Sequence, residues 1–230
     1  MSASTTEPIS ITVSDTVCVS GLLQNPPHAQ GCYVLAHGAG AGMNHPFMSA
    51  VAAGLARRGI ATLRYQFPYM EHGAKRPDPP QLAQATVRAA VAAALVLLPN
   101  QPLFAGGKSF GGRMTSQAQA KMPLEGVRGL AFLGFPLHPA GRPSQDRAVH
   151  LFDVQIPMLF LQGTRDTLAS LDQIEPVCKK LGSCATLKLF AGADHSFHVP
   201  ARSGRKDAQV LGDALDAFAA WLDSVIAPIL

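Results

Sequence analysis

The sequence predicts an α/β fold with a mostly parallel central sheet of about seven or eight strands and helices on both faces. Short apolar, β-branched runs alternate with longer segments of helical periodicity, which is typical of strands covered by helices. Hydrophobic residues make up 47% of the chain and charged residues 15%, a balance that favours a large buried core over disorder. The length of 230 residues suits one α/β domain, and we expect residues 1–230 to form it.

Strands are expected where a short apolar run is bounded by turn residues, and helices where apolar residues recur every three or four positions. By these criteria the predicted strands are residues 9–13, 17–22, 32–36, 60–65, 103–105, 130–133, 158–162 and 186–190. The predicted helices are residues 46–58, about 81–98, 111–121, 170–181 and 206–226. A turn at Ser14-Asp15 joins the first two strands as an antiparallel pair, and Gly59 ends the first helix. The long connections 66–80 and 136–153 are candidates for a functional role.

Charge and cysteine content exclude several functional classes. The net charge is +4, and the basic residues are scattered, so no nucleic-acid partner is expected. The four cysteines form neither a CxxC pair nor a ligand pattern with histidine, which indicates free thiols in a reducing compartment and no metal site. The first residues lack the features of a signal segment, and the longest apolar run, residues 89–98, is too short to span a membrane. We therefore expect a soluble, cytoplasmic protein with no membrane partner.

Residues 107–111, with the sequence GKSFG, match the pattern G-x-S-x-G. In this pattern the serine lies at a tight turn between a strand and a helix, and the flanking glycines avoid steric clashes at the turn. A strand is predicted before Ser109 and a helix after it, which makes Ser109 the candidate nucleophile. The run also resembles the end of a phosphate-binding loop, but Pro102 stands where that motif requires glycine, so nucleotide binding is excluded.

Asp166 and His195 are the candidate partners of Ser109. Each follows a predicted strand, and the order Ser, Asp, His along the chain is the one found in α/β-hydrolases. Because the carboxyl ends of parallel strands meet at one edge of a sheet, we expect the three side chains to converge there. His198 is the alternative base and Asp172 the alternative orienting carboxylate, although Asp172 is expected inside a helix. Asp194 is interpreted as a turn residue.

The glycine-rich residues 37–42 follow a predicted strand at the position where such enzymes keep half of their oxyanion hole. The backbone amides of Ala39 and Phe110 are therefore the candidate oxyanion donors. We expect His37 to stabilise this loop by hydrogen bonding rather than to act in catalysis. Lys108 lies beside the nucleophile and has two possible roles. A structural ion pair is favoured over an influence on the environment of Ser109.

The combination of motifs is similar to that of a bacterial α/β-hydrolase family related to dienelactone hydrolases. The motifs that carry this resemblance are HGAGA at 37–41, RYQFPYME at 64–71, RPD at 76–78, GKSFGGRM at 107–114 and GADHSF at 192–197. The same family resembles an animal testis-expressed protein and a subunit of a histone-acetyltransferase complex. The resemblance implies the α/β-hydrolase fold with little or no cap domain, and Ser109, Asp166 and His195 as the catalytic triad. Dienelactone hydrolases use cysteine as the nucleophile, so Ser109 departs from them and lactone specificity is not implied.

The sequence thus predicts a serine hydrolase of carboxylesterase or thioesterase type, which cleaves an ester, thioester or related acyl bond of a small molecule without cofactor. A non-catalytic binding or scaffold protein on the same fold is the alternative, because fold does not determine function. Acyltransferase and peptidase chemistry stay open, as does oligomeric state. Four basic residues lie on or beside the first long connection; solvation at the surface is the default interpretation for them, and an acidic substrate is a further option. They are Arg64, His72, Lys75 and Arg76.

Overall fold

The computed structural model describes residues 5–227, which form eight strands and six α-helices. The strands are β1 (Thr6–Ser14), β2 (Val17–Gln24), β3 (Gly31–Ala36), β4 (Ile60–Tyr65), β5 (Leu103–Lys108), β6 (Val127–Leu133), β7 (Met158–Gly163) and β8 (Ala185–Phe190). The α-helices are α1 (Pro46–Ala56), α2 (Pro68–Glu71), α3 (Pro80–Leu97), α4 (Phe110–Lys121), α5 (Leu171–Leu181) and α6 (Asp207–Ile226). Short 3₁₀ helices cover Asp146–Asp153, Gly182–Cys184 and Ala201–Ser203.

All eight strands form one sheet in the order β1-β2-β4-β3-β5-β6-β7-β8. Strand β2 pairs antiparallel with β1 and with β4, and every other neighbouring pair is parallel. The mostly parallel α/β sheet predicted from the sequence is confirmed. Because β3 to β8 all point the same way, the loops that follow β3, β5, β7 and β8 meet at one edge of the sheet.

Helices cover both faces of the sheet, and two apolar clusters lie between the layers. Helices α1 and α6 pack on one face through residues such as Val51 and Phe218, whereas α3, α4 and α5 pack on the other through residues such as Val87 and Met114. Successive residues of β3 alternate between the two clusters, and every residue of this strand is buried. Burial on both faces explains why the central strands read as apolar runs in the sequence.

Of the helices within residues 5–227, α3 alone is long and apolar enough to cross a membrane by length and composition. The same test is passed by core helices of folded proteins. Ala83, Val87 and Ala90 of α3 are fully buried in the cluster that covers the sheet. The helix therefore has a packing role that accounts for its apolar composition.

The structure differs from the sequence prediction mainly in the two long connections and in β5. Connection 66–80 contains α2, which begins with Pro68 in the first turn, and connection 136–153 contains the 3₁₀ helix Asp146–Asp153. Strand β5 continues through Gly106 and Gly107, which the prediction treated as its end. Both glycines have φ near +150°, a conformation that side-chain-bearing residues rarely adopt, so the strand extends to the turn before Ser109. Neither connection builds a separate cap domain.

Candidate active site

Ser109 lies in the turn between β5 and α4 and has φ 50° and ψ −110°, a strained conformation for a residue other than glycine. Close packing around the turn explains its glycines. A Cβ atom on Gly107 would lie 2.1 Å from the carbonyl oxygen of Ala36, and one on Gly111 would lie 2.6 Å from the same oxygen. The sequence thus allows β5 and α4 to approach β3 closely, and this approach presents the Ser109 side chain at the sheet edge.

The structure brings Ser109, His195 and Asp166 together. His195 Nε2 lies 2.8 Å from Ser109 Oγ, and His195 Nδ1 lies 2.7 Å from Asp166 Oδ2. The Asp166 side chain is fully buried in the loop after β7, whereas 21% of the His195 side chain is exposed in the loop after β8. This arrangement suits an imidazole that donates Nδ1–H to the carboxylate and accepts the serine proton at Nε2.

Gln162, which the sequence interpretation missed, orients Asp166. Its side-chain amide donates to Asp166 Oδ2 over 2.6 Å, and its carbonyl oxygen accepts from the backbone N–H of Phe135 over 3.0 Å. The backbone N–H of Leu168 donates to the other Asp166 oxygen over 2.8 Å. These two donors therefore orient the carboxylate independently of its contact with His195. A signal was present in the sequence, since Gln162 is a polar residue in the otherwise apolar strand β7.

The alternative triad residues lie elsewhere. His198 is exposed and pairs with Asp207, with 2.8 Å between Nδ1 and Oδ2. The hydrogen bond to Asp207 raises the pKa of His198 above its ordinary value. Asp194 accepts hydrogen bonds from the backbone N–H groups of Ser196 and His198, which is the role of a turn residue. Asp172 lies in the first turn of α5, as the sequence indicated.

His37 is fully buried and stabilises the loop after β3. Its Nε2 accepts from the backbone N–H of Phe67 over 3.1 Å, so its Nδ1 carries the proton and donates to the Gly38 carbonyl oxygen over 2.8 Å. Burial lowers the pKa of His37 to about 4. The ring is therefore neutral at physiological pH, and both of its nitrogens are occupied by the backbone.

Two further hydrogen bonds connect this loop to the segment after β4. Gly40 N–H donates to the Tyr69 hydroxyl over 2.9 Å, and Met43 N–H donates to Gln66 Oε1 over 2.8 Å. Ala39, which lies between His37 and Gly40 in this loop, lines the same cavity as Ser109. Within residues 5–227, the backbone N–H groups of Ala39 and Phe110 donate to no protein acceptor.

Lys108 extends beneath the His195 loop. Its Nζ donates to the His195 carbonyl oxygen over 2.5 Å and lies 5.9 Å and 6.0 Å from the ring centroids of Phe47 and Phe197. The prediction that Lys108 forms a structural ion pair is wrong, because no carboxylate among the described residues lies within 4.0 Å of this ammonium. Burial lowers the pKa of Lys108 to about 8, and the more distant Asp166 and Asp194 oppose this shift.

Arg64 also differs from the sequence interpretation, which allowed a solvated surface charge or one that faces an acidic substrate. Its side chain is buried in β4 and donates to the Met43 carbonyl oxygen and to Ser49 Oγ, each over 3.0 Å. The guanidinium thus supports the loop after β3. His72, Lys75 and Arg76 are exposed, and Arg76 lines a surface cleft beside Tyr69 that does not include Ser109.

Two cavities meet at Ser109 and share Ala39 and Leu168 in their walls. The first, of about 410 Å³, includes His195, and the second, of about 340 Å³, lies on the Phe110 side. The remaining lining residues of the first cavity are Gly38, Ala41, His45, Phe47, Met48, Lys108 and Ser196. Those of the second are Pro77, Asp78, Pro80, Arg113, Pro136 and Arg147.

Comparison with known proteins agrees with this architecture. A family profile described as an alpha/beta hydrolase domain matches residues 29–223. The chain belongs to this hydrolase family. The fold class predicted from the sequence is therefore confirmed, with no separate cap domain evident in the described residues.

Solved structures similar to this alpha/beta hydrolase share its fold over almost the whole chain. Dienelactone hydrolase from Anabaena variabilis is 21% identical over 96% of this chain and 98% of its own, with a TM-score of 0.78. A serine hydrolase without a lid from Xanthomonas campestris is 21% identical over 94% of each chain, with a TM-score of 0.73. The esterase domain of a Rhodothermus marinus protein is 15% identical over 96% of this chain and 98% of its own, with a TM-score of 0.72. The predicted resemblance to dienelactone hydrolases thus holds for the fold, and the animal relatives stay a prediction.

Proposed function

We propose that this alpha/beta hydrolase is a serine hydrolase that cleaves an ester, thioester or related acyl bond of a small molecule. The observation that carries the proposal is the continuous chain of contacts from Asp166 through His195 to Ser109, at the strained turn after β5. The serine hydrolase and esterase among the structural neighbours support the same chemistry. Hydrogen bonds from Gln162 and Leu168 to Asp166 add to it, because a triad depends on a correctly oriented carboxylate.

In the proposed reaction, Ser109 Oγ attacks the carbonyl carbon of the substrate while His195 Nε2 takes the hydroxyl proton. The backbone amides of Ala39 and Phe110 donate to the oxygen on which negative charge develops. Collapse of the tetrahedral intermediate breaks the bond to the leaving group, which takes the proton from His195. Water then attacks the acyl-enzyme and gives a proton to His195. That proton returns to Ser109 when the carboxylic acid product is released.

The two cavities indicate where each part of the substrate binds. His195 must reach the leaving group to protonate it, so the alcohol or thiol part of the substrate lies in the first cavity, beside His195 and Phe47. The acyl part then extends into the second cavity, beyond Phe110. The apolar side chains of Phe47, Met48 and Leu168 favour uncharged, partly apolar leaving groups in the first cavity.

Labelling with a fluorophosphonate probe tests the proposal and separates it from a scaffold role. We expect labelling of the wild-type protein, none of Ser109→Ala, and undiminished labelling of Ser203→Ala, which changes an exposed serine away from the site. Hydrolysis of 4-nitrophenyl hexanoate should follow the same pattern. A wild-type protein that is neither labelled nor active on a panel of acyl substrates would favour the scaffold. Full activity of Ser109→Ala would remove Ser109 as the nucleophile.

A further inference from the structure

Two arginines whose side chains have no hydrogen-bond or ion-pair partner among the described residues line the second cavity. Within residues 5–227, neither Arg113 nor Arg147 donates a side-chain hydrogen bond or lies within 4.0 Å of a carboxylate, and Arg113 Nε is buried without an acceptor. The Arg113 guanidinium lies 6.0 Å from the ring centroid of Phe110, next to the candidate oxyanion donor. Each of two like charges at one cavity disfavours the charged form of the other, and an anion bound between them relieves this repulsion.

The fold holds this pair together despite the repulsion. Arg113 belongs to α4, and Arg147 to the 3₁₀ helix of the second long connection. Ser116 Oγ donates to the Arg113 carbonyl oxygen over 3.0 Å and lies 2.7 Å from His150 Nε2, so the imidazole donates to the hydroxyl and joins the two elements. Burial and the nearby Arg113 lower the pKa of His150 to about 4, so the imidazole adds no third charge at neutral pH.

Arg147 affects the ionisation of Arg113 in the way that a nearby like charge predicts. Burial, with a further contribution from Arg147, lowers the pKa of Arg113 to about 10. Both guanidiniums nevertheless stay charged at physiological pH. One carboxylate, Asp78, also lines the cavity, and its Oδ2 accepts from the backbone N–H of Tyr69 over 3.1 Å. Two positive groups and one negative group leave a net charge of +1, which suits a single carboxylate better than a phosphate dianion.

We propose that Arg113 and Arg147 bind a carboxylate at the far end of the acyl chain, so that the preferred substrates are monoesters or monothioesters of dicarboxylic acids. This inference rests on the proposed serine hydrolase function, which assigns the acyl part to the second cavity. Pro77, Pro80 and Pro136 line the same cavity as Ser109 and the arginines and offer an apolar wall to the methylene chain. Guanidinium groups suit the carboxylate because they donate two parallel hydrogen bonds to it.

Paired substrates of equal carbon count test this specificity. We compare kcat/KM for mono-4-nitrophenyl adipate with that for 4-nitrophenyl hexanoate, and express the result as a ratio. The ratio should exceed one in the wild type and fall roughly tenfold to a hundredfold in Arg147→Gln and Arg113→Gln, since a hydrogen bond to a charged group is lost. The matched control is Arg142→Gln, an exposed arginine of the same connection, which should leave the ratio unchanged. Circular dichroism and thermal unfolding verify that each variant folds.

Several outcomes would overturn the proposal. One is a wild-type ratio at or below one for both adipate and suberate monoesters. Another is a ratio that Arg147→Gln leaves unchanged. If 4-carboxyphenyl hexanoate, with its carboxylate on the leaving group, shows the same dependence on Arg147, the assignment of the two cavities is wrong.

A binding measurement separates this proposal from the serine hydrolase function. Calorimetric titration of adipate into Ser109→Ala does not depend on catalysis. We expect binding to Ser109→Ala that weakens roughly tenfold or more in the double variant Ser109→Ala/Arg147→Gln. Adipate binding with no esterase activity would retain the anion site and reject the proposed function. Esterase activity with no adipate binding would retain the proposed function and reject the anion site.

Discussion

Replacement of Lys108 by methionine separates its effect on stability from its effect on catalysis. Methionine keeps an apolar chain between Phe47 and Phe197 but removes the ammonium that donates to the His195 carbonyl oxygen. The change therefore deletes one partly buried hydrogen bond and one buried charge together. The lost bond acts on His195, whereas the lost charge removes an energetic cost of folding.

The size of that cost follows from the pKa of Lys108, which burial lowers from 10.5 to about 8. Each pKa unit corresponds to about 1.4 kcal/mol, so charging this lysine costs ~3 kcal/mol more in the folded protein than in the unfolded chain. Because the folded pKa lies below the unfolded one, the cost is complete below pH 8. It disappears as the pH rises to 10.5, where the lysine is neutral in both states.

Urea unfolding at two pH values measures this effect. The quantity of interest is the free energy of unfolding of the wild type minus that of Lys108→Met. We expect this difference to rise by about 2 kcal/mol between roughly pH 7.5 and pH 10, because the wild type loses its buried charge and the variant has none to lose. Lys121→Met, at the exposed end of α4, is the matched control and should show no such rise.

Steady-state kinetics on 4-nitrophenyl hexanoate complete the experiment. We expect kcat of Lys108→Met to fall about tenfold at neutral pH, the effect of losing a hydrogen bond to a charged donor that holds the His195 loop. A stability difference that is identical at both pH values would refute a buried ammonium at this position. Wild-type kcat in the variant would refute a positioning role for Lys108.

Three further predictions follow from single contacts. Gly106→Ala should lower the free energy of unfolding by at least about 3 kcal/mol, since its Cβ would lie 1.8 Å from the Ala131 carbonyl oxygen. The matched control is Gly212→Ala in open space on α6, which should raise the free energy of unfolding by roughly 0.5–1 kcal/mol. Gln162→Leu should lower kcat roughly tenfold to a hundredfold with little change in KM, because the carboxylate of the triad loses a donor; an unchanged kcat would contradict this role. His198→Ala should retain wild-type kcat, and a loss comparable to that of a triad variant would reinstate His198 as the base.

The positions of the strands and the nucleophile turn could be predicted from the sequence because they depend on local patterns. The buried strands carry apolar runs, and the serine turn needs its glycines within two residues of Ser109. The partners Asp166 and His195 could be proposed because each follows a strand of the parallel sheet. Their meeting with Ser109 needed only the rule that such strand ends share one edge.

Other supporting contacts could not be predicted, because they join segments far apart in the chain. Lys108 contacts the carbonyl oxygen of a residue 87 positions away, and no local pattern distinguishes that partner from a carboxylate. The pairing of Arg113 with Arg147 depends on how the second long connection packs on α4. Arg64 looked like a surface charge because its burial depends on the loop after β3, which covers it.

The loop that carries Ala39 has a consequence for how this protein can acquire new substrates. The His37 ring accepts a hydrogen bond from residues 66–69, and the Gly40 and Met43 amides donate to the same segment, so the loop is in place before any ligand arrives. Ligand entry then costs little backbone entropy on this side, and the three hydrogen bonds oppose a widening of this wall for a bulkier group. Changes in substrate range should therefore arise by sequence replacement in residues 136–153, where the opposite wall can be exchanged without disturbing the amide donors.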